Sequence, residues 1–366
     1  MKKVLTIIGT RPEAIKMAPV IRELKRRSDD VRSVVCVTGQ HTSLLAGILE
    51  NFDISSDYTL VLDDASQTLP KIFANLFTNL NDVIQKEKPD WLIAQGDTTS
   101  VVAGSMAAYY NKIKFGHIEA GLRTYDLYSP YPEEGNRLMA DVCAEKLWAP
   151  TSVAKENLLN EGYAESRINI TGNTVIDALL YTAARVQTPA ALKKFEGRKI
   201  ILVTVHRRES FGDTLLDICD ALKEISKKHP DFTIVYPVHP NPNVHDIVHA
   251  QLSGINNIEL ISPLGYVDFI WIMKTSFLIL TDSGGIQEEA PSLGIPVLIL
   301  REKTERPEGV KAGVAILVGR KKEEIVSYVS NLIANESVYK DMSSGVNPYG
   351  DGKAAHKIVE DIINAK

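Results

Sequence analysis

Short runs of apolar residues recur along this chain, with helix-length segments between them. The first series is VLTIIG (4–9), SVVCVTG (33–39), WLIAQGD (91–97), KFGHIEA (114–120), KLWAP (146–150) and INITG (168–172). The second is KIILVTVH (199–206), FTIVYPVH (232–239), IELIS (258–262), FLILTDSG (277–284) and PVLIL (296–300). A strand that shows one face to water alternates polar and apolar residues. These runs do not, so both faces need covering, which is the pattern of parallel sheets sandwiched by helices. With 366 residues the chain exceeds one ordinary core, so two such sheets in two domains are expected. The series breaks between Gly172 and Lys199, which places the link near Gly172. The fold class is therefore α/β, two Rossmann-like domains facing each other across a cleft. The last stretch, KAAHKIVEDIINA, reads as an amphipathic helix.

A formal net charge of -5 argues against a nucleic-acid or anionic-membrane partner. The three cysteines, Cys36, Cys143 and Cys219, are distant from one another and form no CxxC pair. They read as buried thiols in a reducing compartment, with no disulfide frame and no zinc site. No apolar run reaches transmembrane length. The N-terminal apolar run is too short for a signal peptide and reads as a first buried strand, so the expected location is cytoplasmic.

In parallel sheets, ligands bind beyond the carboxyl ends of the strands. Those positions are chemically rich here. Ser283, Gly284 and Gly285 lie where a strand gives way to a helix, suiting close approach of an anion to backbone amides. Glu288 or Glu289, one turn on, would accept hydrogen bonds from sugar hydroxyls. The alternative is a tight turn with a serine cap and acids set against the helix dipole. Arg306, after the next strand, adds a cation at the same edge and favours a phosphate site. In GTRPEAIK (9–16), Arg11 and Lys16 beside a helix start suit a diphosphate. The alternative is a solvated first turn with Pro12 at the first helical position.

Asp97, Glu119 and Glu133 form a carboxylate set. Asp97 and Glu119 end successive strands and so can lie side by side, where clustered carboxylates supply an acid and a base. The alternative has Asp97 in a helix cap and Glu119 paired with Arg123. His206 and His239 end strands of the second series, and two strand-end histidines near Arg207 and Arg208 suit phosphate or proton-transfer work. The eight histidines show no metal spacing. Tyr110 and Lys114 match a Y-x-x-x-K pattern but lack a preceding G-x-G-x-x-G, and read as a helix end.

Together these segments resemble the non-hydrolysing UDP-N-acetylglucosamine 2-epimerases. The resemblance rests on GTRPEAIKMAP (9–19), GDTT (96–99), GHIEAGLRT (116–124), YSPYPEEGNR (128–137), HRRESFG (206–212), VYPVHPNPNV (235–244), LTDSGGIQEEAPSLGIPV (280–297), TERPEGV (304–310) and NPYGDGKA (347–354), in order over nearly the whole chain. It implies a glycosyltransferase-B-like architecture, with an N-terminal domain at 1–171 plus a returning helix at 354–366, and a UDP-binding domain at 172–353. It implies a homodimer, no metal and no cofactor, and interconversion of UDP-GlcNAc and UDP-ManNAc for cell-surface polysaccharide. By resemblance, Arg11, His206, Ser283, Gly284, Gly285, Glu289 and Arg306 hold UDP, and Asp97, Glu119, Glu133 and His206 serve catalysis. The implied route eliminates UDP to a glycal and adds it back.

The chain departs from the family at three places. Gln40-His41-Thr42-Ser43-Leu44 and Ser66 lack polar and charged groups that in many bacterial members line a second, activating UDP-GlcNAc site. Weak or absent activation is therefore expected. Tyr125 stands where the family often has Gly, beside the active-site loop, where it narrows the sugar pocket or changes its closure. The competing readings are a UDP-sugar glycosyltransferase, a hydrolysing epimerase, an epimerase of a modified UDP-sugar, and a non-catalytic UDP-sugar sensor.

Overall fold

Two parallel sheets organise the chain in the computed structural model, which describes residues 1–39, 42–60 and 68–365. The first holds β1 (Lys2–Ile8), β2 (Val31–Thr38), β3 (Tyr58–Leu60), β4 (Trp91–Gln95), β5 (Lys114–Ile118), β6 (Lys146–Ala149) and β7 (Ile168–Ile170), in the order β3-β2-β1-β4-β5-β6-β7. The second holds β8 (Lys199–Thr204), β9 (Phe232–Pro237), β10 (Ile258–Ile261), β11 (Ser276–Thr281), β12 (Val297–Ile299) and β13 (Ala315–Leu317), in the order β10-β9-β8-β11-β12-β13. All five residues of β4 are buried, and so are Ile200 to Thr204 of β8. Strands covered on both faces read as continuous apolar runs, which is why they were legible in the sequence. β3 and β13 were not anticipated. Each is a three-residue sheet-edge strand with partly exposed positions, so it lacks that run.

In both sheets the order in which strands are added reverses once. In the first, β1 lies between β2 and β4; in the second, β8 lies between β9 and β11. At such a switch point the loops leaving two neighbouring strands diverge and open a crevice at their carboxyl ends. Gly9 to Arg11 follow β1 and Gly96 to Thr98 follow β4. Val205 to Arg207 follow β8 and Asp282 to Gly285 follow β11. The chemistry-bearing residues named from the sequence therefore flank the two switch points.

The chain forms two compact units, Met1–Ala178 with Gly350–Lys366, and Leu179–Tyr349. The final helix, Ala354–Asn364, belongs to the first unit and packs on the helix Arg11–Arg26. Cys36 and Cys219 are buried, whereas Cys143 is only half-buried, a correction to the expectation of three buried thiols. No helix among the described residues is long and apolar enough to cross a membrane.

Candidate active site

In the first unit, Thr10 caps the helix Arg11–Arg26 in a capping box with Glu13, and Pro12 occupies its second position rather than the first. The Glu13 carboxylate accepts from the amides of Gly9 and Thr10 (the latter 2.9 Å) and from the Thr98 hydroxyl at 2.5 Å. The two amides at this strand end are therefore already taken by the chain's own acid. Gly9 lacks a side chain because Ser100 fills the space that a Cβ would need. Arg11 remains exposed beside this turn. Lys16 reaches Glu119 with Nζ 2.8 and 2.6 Å from its two carboxylate oxygens. Arg123, the partner considered for Glu119, pairs instead with Asp141 and Glu161 at 2.6 Å each.

Register explains the meeting of Asp97 and Glu119. β4 and β5 are neighbours, with Gln95 opposite Ile118, so both acids leave adjacent strand ends together. Glu119 has φ +68, a left-handed conformation that disfavours any residue with a Cβ and that concentrates at functional positions. Asp97 caps nothing; Thr98 is the helix cap and makes no side-chain cap bond. The Asp97 carboxylate instead accepts from Arg137 Nη1 at 2.5 Å, and its main-chain oxygen accepts from Asn136 at 2.8 Å. Burial raises the Asp97 pKa most, Arg137 opposes this, and the nearby Glu119 and Glu133 charges add to the rise; the net shift is upward. Arg137 also donates to Glu134 at 2.7 Å, whose other oxygen accepts the amides of Thr124 and Tyr125 at 3.0 Å each. Among the described residues, one buried carboxylate oxygen of Glu133 has no hydrogen-bond partner. Tyr125 sits at φ +62 and is 70% exposed, its hydroxyl donating to Asn157 at 2.8 Å.

The second unit repeats the logic with a different acid. Asp282, fully buried after β11, accepts from the amides of His206 and Arg207, the latter at 2.9 Å, and from the Ser210 hydroxyl at 2.9 Å. This ties the end of β8 to the end of β11. The His206 and His239 rings stack with centroids 5.8 Å apart. Burial lowers the His206 pKa, with Asp282 opposing, so the ring leans toward neutral. Both rings line a cavity of about 340 Å³ walled by Val205, Pro240, Phe269 and Ile286 at the carboxyl ends of β8 and β9. Ser283 starts the helix Gly284–Glu289 without a side-chain cap bond, so the alternative of a serine cap is not seen. Gly284 and Gly285 hold its first two positions, whose amides have no acceptor within the helix. The guanidinium groups of Arg207 and Arg306 both converge on Gly284: a Cβ there would lie 3.5 Å from Arg207 Nη2 and 3.6 Å from Arg306 Cζ. Glu288, offered as a sugar ligand, is committed to Arg306 at 2.6 Å. Glu289 lies beside Gly285, with Oε1 3.5 Å from where a Cβ on Gly285 would sit.

The UDP-N-acetylglucosamine 2-epimerase family model matches residues 22–363. The chain is 48% identical to the UDP-N-acetylglucosamine 2-epimerase of Escherichia coli strain K12 over 99% of its own length and 98% of that protein's. It belongs to the UDP-N-acetylglucosamine 2-epimerase family. The crystal structure of the Neisseria meningitidis UDP-GlcNAc 2-epimerase, bound to UDP-GlcNAc, is 46% identical, with a TM-score of 0.86 over 99% of this chain and 100% of that one. A Methanocaldococcus jannaschii UDP-GlcNAc 2-epimerase, in complex with UDP-GlcNAc and UDP, is 35% identical, with a TM-score of 0.77 and coverage of 99% and 100%. The resemblance seen in the sequence and the expected α/β, glycosyltransferase-B-like fold class are thereby borne out.

Within the epimerase fold, sequence reading missed the residues that fix these turns: Glu13, Asn136, Arg137 and Asp282. Each lay inside a quoted motif, but its partner is distant in sequence, Arg137 reaching back 40 positions to Asp97. Only a fold with the strand order in hand reveals such pairs. Gln40, His41 and Ser66, on which the expected weak or absent activation partly rests, lie outside the described residues.

Proposed function

We propose that this chain interconverts UDP-GlcNAc and UDP-ManNAc by elimination and re-addition of UDP. The proton on C2 of the sugar has no adjacent carbonyl, so its direct removal is slow. Breaking the bond from C1 to the UDP oxygen while a base takes the C2 proton forms a C1–C2 double bond and releases UDP as an anion. Re-addition of UDP at C1, with a proton delivered to the other face of C2, gives the epimer. The chemistry requires firm retention of a free diphosphate and more than one proton carrier.

The observation that carries this reading is the strand-end carboxylate pair Asp97 and Glu119, each with its own cation, Arg137 and Lys16. With Glu133 they supply proton carriers, and Lys16 holds the Glu119 carboxylate in an ion pair at 2.6 Å. In the second unit, Arg207, Arg306 and the amides of Gly284 and Gly285 offer a cradle for diphosphate. The cavity beside His206 and His239 suits a nucleobase, and Glu289 suits the ribose hydroxyls. Glu289→Ala should weaken UDP binding in isothermal titration; unchanged affinity would remove that assignment.

A homodimer is part of the proposal. Phe73 stacks on Phe77 with centroids 6.0 Å apart, Phe77 meets the Tyr110 ring edge-on, and Tyr109 and Tyr110 are each 66% exposed. Such an aromatic surface favours a protein partner. Light scattering should give twice the chain mass.

Proton NMR of the protein with UDP-GlcNAc in heavy water tests the reaction. The expected result is UDP-ManNAc with deuterium at C2. Free UDP with ManNAc would mean hydrolysis instead, and no change would exclude UDP-GlcNAc as the substrate.

A further inference from the structure

The turn that carries Asp97 is gripped from inside the unit by a residue that the reaction scheme does not use. His117, on β5, is fully buried. Its Nε2 lies 2.7 Å from the main-chain oxygen of Gly96, and its Nδ1 lies 2.5 Å from Oδ1 of Asp141. A main-chain carbonyl can only accept, so Nε2 carries a proton. Asp141 accepts Arg123 Nη2 on its other oxygen at 2.6 Å, and although burial pushes its carboxyl up, His117 and Arg123 outweigh burial and hold it ionised, so Nδ1 carries a proton too. A neutral imidazole has one N–H and cannot serve both partners.

We propose that His117 is a buried imidazolium and a positioning residue, holding the Gly96 peptide so that the Asp97 carboxylate stays in place. This rests on the reading of Asp97 as a proton carrier. Gly96 turns at φ +87, a conformation that glycine alone adopts freely, so the backbone on the near side of Asp97 has little stiffness of its own. Arg137 and Asn136 hold Asp97 itself, and Glu13 holds Thr98. His117 completes the set at Gly96.

The groups that face the ring agree with a cation. Asp141 comes from the helix Glu133–Cys143. Arg123 follows β5 and is itself shared with Glu161. Phe115 stacks on the ring with centroids 6.1 Å apart, and Tyr163 lies near Asp141. Burial pushes the imidazole toward neutrality, but Asp141 and the Gly96 carbonyl outweigh burial and Arg123, so the balance is upward. Above that raised value one of the two bonds is lost. Turnover should then fall, while UDP binding, which uses the second unit, holds.

The test is nitrogen-15 NMR of the eight histidines, with His117 assigned through the backbone, in the full chain. The expected result is two protonated ring nitrogens on His117 at a pH where an unperturbed imidazole has lost one of its two protons. A single protonated nitrogen there would overturn the proposal. His117→Gln keeps one donor and should lose about tenfold or more in kcat with UDP affinity unchanged. Asp141→Asn, a second variant, should move the alkaline limb of the kcat profile to lower pH. Wild-type kcat and pH profile in both variants would also overturn it. Should the wild-type chain leave UDP-GlcNAc unchanged, the reading of Asp97 falls, while NMR still decides the ring.

Discussion

Glu13 is an acid placed where an anion site would otherwise be. Burial dominates its titration and pushes its pKa up to about 7, against the hydrogen bonds from Thr98, Gly9 and Thr10 that pull it down. In the unfolded chain it ionises near its ordinary value of 4.5. Between those two values the folded protein holds a proton that the unfolded chain has lost, so stability falls as pH rises through this window. Glu13→Gln keeps the capping geometry, since a Gln oxygen accepts from the same amides and its NH₂ donates to Thr98. Urea unfolding should therefore find the variant close to wild type at pH 4.5 and more stable by about 2 kcal/mol at pH 8. Equal stabilities at both pH values would show that Glu13 is ionised without penalty. None of this was legible in the sequence: GTRPEAIK shows Thr10 and Glu13 at capping-box spacing, but not the depth at which β1 and β4 bury the acid.

Strand ends were the most legible elements, because buried parallel strands announce themselves as apolar runs and the residues after them stand at the crevice. Asp97, Glu119, His206, His239 and Ser283 were all placed correctly at strand ends for that reason. What the sequence hid was which groups the turn itself consumes. At the end of β11, Asp282 spends its carboxylate on the loop after β8, and Glu288 spends its own on Arg306. Gly284 is left between two guanidinium groups. A methyl added there would lie at ordinary contact distance from Arg207 and Arg306, so Gly284→Ala should fold with an unchanged melting temperature. The same methyl occupies the space that the proposed cradle would offer a phosphate. UDP affinity, measured by titration calorimetry, should fall about tenfold or more, on the order of 1.4 kcal/mol. Unchanged affinity would move the diphosphate away from this turn.

At the scale of the whole chain, the two termini close the first unit on itself. Lys2, in β1, donates to the main-chain oxygens of Ile362 and Ile363 at 2.8 Å each, placing a cation at the carboxyl end of the last helix. That helix buries Ala354, Ala355, Ile358, Val359 and Ile362, as its amphipathic pattern anticipated. Its polar anchor was not visible in the sequence. Asp361 accepts the Trp148 indole N–H at 2.8 Å and Asn169 at 2.7 Å, joining the helix to β6 and β7 from 213 and 192 positions away. Trp148 is fully buried, so removing its acceptor leaves a desolvated donor with no replacement from solvent. Asp361→Ala should cost about 2 kcal/mol and lower the melting temperature in scanning calorimetry. UDP affinity should not change, because the proposed diphosphate cradle lies in the other unit. A variant that melts like wild type would mean that apolar packing alone seats the last helix. One that also loses UDP affinity would mean that the closure of the first unit reaches the nucleotide site.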